Sequence, residues 1–174
     1  MNLEEYRTRI SRLISSRSPE SVLNGSADHA AVLVERMFAG AQTSMRILTR
    51  QFNPAVYGAD DLCDYAFRFA AKPVSMTRIL IEDAEPERLY NHPFVVQARG
   101  NTNIEFRHLP AEKSAALEIN FSVMDDTGYR FEHDKNVPVA VASFGDVKLP
   151  ERLNQFFDEM WEESHVIDLE TIFQ

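Results

Sequence analysis

Leu3, Tyr6, Ile10, Leu13 and Ile14 recur at the three- and four-residue spacing of one helical face, while Arg7, Arg9, Arg12 and Arg17 fill much of the other. The pattern predicts an amphipathic helix within residues 1–18, ended by the breaker Ser15-Ser16-Arg17-Ser18-Pro19 and docked as an appendage on its own domain. A second helix begins near Ser26 or Asp28, either of which suits an N-cap, and carries Ala30, Leu33, Val34, Met37, Phe38 and Ala41 inward. Ser44 to Thr49 has the short apolar centre of a buried strand, and Asn53-Pro54 closes it with turn chemistry. A third helix over Ala59 to Ala71 places Leu62, Tyr65, Ala66 and Phe69 on one side before Pro73 stops it.

The pattern then repeats. Thr77 to Asp83 is an apolar strand that runs out into acids, Pro86 to Arg99 is helical in part, and Asn103 to Leu109 alternates as a third strand up to Pro110. Strands separated by helices imply right-handed crossovers and a parallel arrangement. Leu117 to Met124, Tyr129 to His133 and Val137 to Phe144 follow one another without a helix, which predicts an antiparallel meander. Asp125-Asp126-Thr127-Gly128 supplies its first turn and Asp134-Lys135-Asn136 its second. Leu149, Leu153, Phe156, Phe157, Met160 and Trp161 form the clearest helical stripe in the chain, so the last helix must cover the sheet. The fold class expected is α/β, a mixed sheet flanked by helices in one domain over residues 26–163, with residues 164–174 as an acidic tail.

Composition narrows the function more than the fold. Of 174 residues, 44% are hydrophobic, enough for a real core, which excludes wholesale disorder. Asp and Glu number 27 against 18 Lys and Arg, and the net charge of −9 opposes broad attraction to nucleic acid. No apolar run approaches the roughly 18 residues of a membrane span, so no membrane partner is expected. Cys63 is the only cysteine; a disulfide within the chain is impossible, a reducing cytoplasm is the simplest compartment, and Asp60, Asp61 and Asp64 around the thiol suit a packing residue rather than a nucleophile. No Gly-rich phosphate loop, nucleophile elbow, kinase signature or zinc pattern is present, so no cofactor is implied. Arginines outnumber lysines 14 to 4, and planar guanidinium groups suit contacts with another protein.

Three local phrases, Asn120-Phe121-Ser122-Val123-Met124-Asp125-Asp126 before Tyr129-Arg130-Phe131-Glu132, then Phe144-Gly145-Asp146, then Phe157-Asp158-Glu159-Met160-Trp161, stand in the order just described. Over about residues 26 to 163 the layout resembles one half of the phospholipase D superfamily. The resemblance implies parallel strands followed by an antiparallel meander and a C-terminal helix. It also implies a His-x-Lys strand whose His attacks phosphorus, whose Lys holds the phosphoryl oxygens together with a downstream Asn, and whose second His comes from another half. A single half must pair to assemble two sets, so a homodimer is the partner state implied.

At the matching strand this sequence reads Asn120-Phe121-Ser122, which removes both reacting groups. Asp125 falls too early for the motif Asp and reads as a turn residue, and Ser143-Phe144-Gly145-Asp146 lacks the Asn. The expectation is a non-catalytic domain that acts through protein association, with itself or another protein. A literal His-x-Lys stands at His133-Asp134-Lys135, with Ala140 where Asp would follow; His133 and Lys135, or His108, are the residues of the alternative, a divergent phosphodiesterase or nuclease. A third reading is a module for a small anionic or amide ligand. Open α/β sheets bind ligands at the C-terminal ends of parallel strands, where Arg50, Glu82, Asp83 and His108 are the candidates. Glu82, Asp83 and His108 lack any recognised metal spacing, so no metal is assigned.

Overall fold

The computed structural model describes residues 1–137 and 139–174. Helix α1 (Leu3–Ser15) starts with a capping box, in which the Asn2 side chain accepts from the Glu5 N–H and the Glu5 carboxylate returns a bond to the Asn2 N–H. Strand β1 (Val22–Asn24) leads into α2 (Ala27–Gly40), capped by Ser26, and then β2 (Ser44–Thr49). The short α3 (Pro54–Tyr57) and α4 (Asp60–Ala70) connect to β3 (Met76–Ile81), and α5 (Pro86–Tyr90) with α6 (Pro93–Ala98) to β4 (Ile104–His108). After α7 (Ala111–Ser114) come β5 (Asn120–Met124), β6 (Gly128–Glu132) and β7 (Ala140–Ser143), then α8 (Lys148–Glu162), β8 (His165–Val166) and α9 (Leu169–Ile172).

The eight strands make one sheet in the order β1-β7-β6-β5-β2-β3-β4-β8. Strands β2, β3 and β4 are parallel, as the crossover helices require, and the β5-β6-β7 meander joins them antiparallel through β5. The sheet divides the apolar interior in two. Ile47, Ile79, Phe106 and Ala142 face the layer of α1, α2, α4 and α6. Leu48, Leu80, Phe121 and Val123 face the other way, under Leu153, Phe157 and Trp161 of α8. Alternate residues of each strand therefore enter different cores, the expected result of a period of two.

Both chain ends pack against the rest of the fold. Tyr6, Ile10 and Leu13 of α1 are buried, Arg7 pairs with the buried Glu35 of α2 at 3.0 Å, and a Cβ on Gly40 would lie 2.5 Å from Ile14. The missing side chain at Gly40 lets the two helices touch. Residues 164–174, expected as a tail, add β8 to the edge of β4 and rest Phe173 on Tyr90 with ring centroids 5.4 Å apart. Arg99 fixes this segment from outside through Glu170 at 2.9 Å. Among the described residues no helix is long and apolar enough to cross a membrane.

Candidate functional site

The parallel strands end at Thr49, Ile81 and His108, and the chain leaving them meets the β6–β7 connection in an open polar area. It holds two neighbouring clefts that share Arg50, Lys135 and Asn136. The first, of about 300 Å³, is bounded by Thr49, Tyr57, Asn120, Arg130 and Glu132. Register explains the company. Asn120 stands opposite Glu132, and Ser122 opposite both Ile47 and Arg130, so these polar groups share the face turned to α2 and α3.

A continuous polar chain links residues of β1, β6 and β5 to the end of β2 beneath this cleft. The Asn24 side-chain oxygen accepts from Arg130 Nε at 3.0 Å, the Arg130 guanidinium donates to Glu132 Oε1 at 2.6 Å, and Asn120 Nδ2 donates to Glu132 Oε2 at 2.7 Å. Asn120 Oδ1 then accepts the Arg50 backbone N–H at 3.0 Å. Arg130 is 3% exposed, and a guanidinium at that depth requires its carboxylate, because an unpaired buried charge costs several kcal/mol. Both carboxylate oxygens of Glu132 are thereby committed to donors. Burial raises the Tyr57 phenol above its ordinary value, against the opposing pull of the Arg130 charge and of the Ser122 and Thr49 hydroxyls. The strand that stands where His-x-Lys is expected thus carries an amide engaged as a strut and a small hydroxyl.

The second cleft, about 410 Å³, lies on the α7 side and is lined by Arg50, Glu82, Asp83, Ser114, Glu118 and Lys135, among others. Lys135 Nζ donates to Glu82 Oε2 at 2.8 Å, Ser114 Oγ to the same oxygen at 2.9 Å, and Arg88 to Asp83 at 2.8 Å. The structure thus gathers Arg50, Glu82 and Asp83. His108 stays outside the lining, its Nε2 at 3.1 Å from the Glu82 carbonyl. His133 and Lys135 do not act as a pair. The exposed His133 ring sets its edge on Phe131, on the α8 side, while Lys135 reaches across to Glu82. Asp125 holds the opposite end of the sheet, where its carboxylate accepts from the N–H groups of Gln42, Thr43 and Ser44. Asp146 caps the start of α8 through the Lys148 N–H. Burial, with the nearby Asp60 and Asp64 charges, pushes the Cys63 thiol up to about 11. Among the described residues no group of three His, Cys, Asp or Glu side chains is placed to hold a metal ion.

Arg130, Glu132 and Asn24 are the residues sequence reading missed. A readable signal existed: Arg130 and Glu132 lie two apart, opposite in charge, on the face of β6 that Tyr129 and Phe131 leave free.

A family model described as a domain of unknown function (DUF7931) matches residues 26–169. None of the curated proteins compared with the sequence matches it. Among solved structures, TrmBL2, described as an archaeal chromatin protein with a novel mode of DNA binding, superposes with a TM-score of 0.63 at 17% identity; the match takes in 94% of this chain and 60% of that one. NucT from Helicobacter pylori gives a TM-score of 0.61 at 12% identity over 85% of this chain and 99% of its own. Nuc from Salmonella typhimurium, described as a phospholipase D family member, gives 0.58 at 17% identity over the same shares. The chain therefore spans well under two thirds of the chromatin protein but nearly all of the two Nuc chains. The fold expected from the layout of elements, a mixed α/β sheet of phospholipase D type, is the fold observed.

Proposed function

The chain belongs to the DUF7931 family, and we propose that it is a non-catalytic phospholipase D-like domain that works through protein association, as a homodimer. The observation that carries the reading is the Asn24–Arg130–Glu132–Asn120 chain. It fills the face where a nucleophilic His and a phosphate-binding Lys would be presented, and it ties the Glu132 carboxylate to an arginine. Phosphoryl transfer through a histidine needs a free imidazole in line with phosphorus and cationic donors on its oxygens; Asn120 and Ser122 supply neither.

Association is supported by the sheet itself. Helix α8 lies over β2, β5 and β6, the half-buried Phe131 and Val141 pack against its cluster, and Leu23 of β1 continues that apolar row beside Val141 at the open edge. Leu23 is 71% exposed and Val139 50%. An apolar stripe at the open edge of a sheet is a surface a second sheet can cover, and a two-fold axis there brings the same stripe from a second copy.

The test joins two measurements. With bis-p-nitrophenyl phosphate, the protein and its His133→Ala variant are expected to show the same background rate; turnover that disappears in the variant overturns the non-catalytic reading. In analytical ultracentrifugation at micromolar concentration, the chain of 19.9 kDa is expected to sediment at twice its mass. A monomer alone overturns the homodimer.

A further inference from the structure

Arg50 follows β2 as Glu82 follows β3, and the ladder joins them: the Glu82 N–H donates to the Thr49 carbonyl at 3.1 Å and the Asp83 N–H to the Arg50 carbonyl at 2.8 Å. Neighbouring strands lie about 4.8 Å apart, so opposite charges at these positions sit within easy reach of one another. They do not pair. Among the described residues Arg50 has no carboxylate partner and contacts the Asn136 side-chain oxygen instead. Glu82 turns to Lys135 and Ser114, and Asp83 to Arg88 and Gln51.

Glu82 is the unusual member. Its side chain is 2% exposed, it lines the 410 Å³ cleft, and its Oε1 has no hydrogen-bond partner among the described residues. A buried carboxylate oxygen without a donor costs about 1–3 kcal/mol or more, which a ligand carrying N–H groups relieves. A plain anion at Arg50 meets Glu82, Asp83 and Glu118 around it, and a plain cation at Glu82 meets Arg50 and Lys135. A molecule with both charges close together meets neither repulsion.

We propose that this cleft binds a small zwitterion with the head group of a free α-amino acid, its carboxylate on the Arg50 guanidinium and its ammonium on Glu82 Oε1. Arg50 offers a planar fork suited to a carboxylate. Ser114 and Asn136 give the walls amide and hydroxyl character, which favours a polar side chain on the ligand. The site stands apart from the non-catalytic reading, because it lies on the α7 side of Arg50 and uses neither Asn120 nor Arg130.

The experiment is isothermal titration calorimetry on the full chain with L-glutamine and with two analogues that each lack one charge: γ-aminobutyramide, without the carboxylate, and glutaramate, without the ammonium. L-glutamine is expected to saturate at millimolar concentration or below, and each analogue to bind about tenfold or more weaker. Arg50→Ala, at an exposed position, is expected to weaken L-glutamine by about tenfold while leaving the thermal melt in place; Glu82→Gln, which keeps the shape and removes the charge that pairs with Lys135, is expected to weaken it similarly and to lower the melt. Glutaramate binding as well as glutamine makes this an anion site and overturns the proposal. So does equal binding of γ-aminobutyramide, an Arg50→Ala variant that binds glutamine unchanged, or the absence of saturation by L-glutamine. Phosphodiesterase activity leaves it untouched, so the two readings fail separately.

Discussion

The His92 ring lies 2.9 Å from the Phe52 carbonyl through Nε2, and its Nδ1 accepts the Phe94 N–H at 3.2 Å. An amide N–H can only donate, so this geometry holds the imidazole neutral, with its proton on Nε2. The ring also stacks on Phe52, which stacks in turn on Tyr57 at 4.5 Å. Phe52 has φ of 49°, left-handed backbone that a bulky aromatic residue avoids unless its surroundings enforce it. His92 is part of that enforcement, and through its bond to Phe52 it holds the residue that directly follows Arg50 and Gln51. Burial lowers its pKa from the ordinary 6.5. The unfolded chain therefore binds the proton more readily than the folded one, and stability rises with pH. The contribution of His92 is complete above about pH 6.5 and falls away as pH drops below it. Urea unfolding at pH 7.5 and 5.5 is expected to show this loss in the natural protein and a smaller one in His92→Asn, whose amide oxygen keeps the helix cap without taking up a proton. Equal losses would show that the imidazole does not titrate across the transition.

Among the elements, α1 tests where the domain begins. Its Ile10 is fully buried and its Arg7 reaches Glu35, so Ile10→Ala is expected to lower global stability by about 2–5 kcal/mol in a single cooperative transition. An early separate transition for the first helix, read by hydrogen exchange of its amides, would make it a detachable appendage instead. The elements legible in the sequence are those whose own pattern is long enough to speak. The apolar centre of Ser44 to Thr49 gave β2 at its observed bounds, and the six-residue stripe from Leu149 to Trp161 gave α8. Strand β1 has only Val22-Leu23-Asn24, and β8 has two residues that are both exposed. Such strands exist because β7 and β4 offer edges to them, and an edge offered by a distant segment leaves no local trace. The same distinction separates the two clefts. Arg50, Glu82 and Asp83 were readable because strand ends bring their own neighbours together, whereas Asn24 and Arg130 meet across 106 positions, which no local periodicity encodes.

At the scale of the whole molecule, the two faces of the sheet are covered unevenly. The layer of α1, α2, α4 and α6 buries one face, while α8 lies on the other with Phe131 and Val141 half-buried against its cluster, and Leu23 stays exposed at the β1 edge. Leu23→Lys places a charge at that exposed edge and is expected to shift the sedimentation of the proposed homodimer to that of the monomer without moving the melting temperature; a dimer that persists would locate the contact elsewhere. The pairing that completes this edge also fixes a sequence of events. Residues 22–24 find their partners only at 140–142. A ribosome that releases the chain from its N-terminus therefore exposes β1 early and delivers β7 late, after the parallel strands have emerged and can begin to fold. Until residues 140–142 emerge, residues 22–24 have no partner strand, so β1 is among the last strands to be secured.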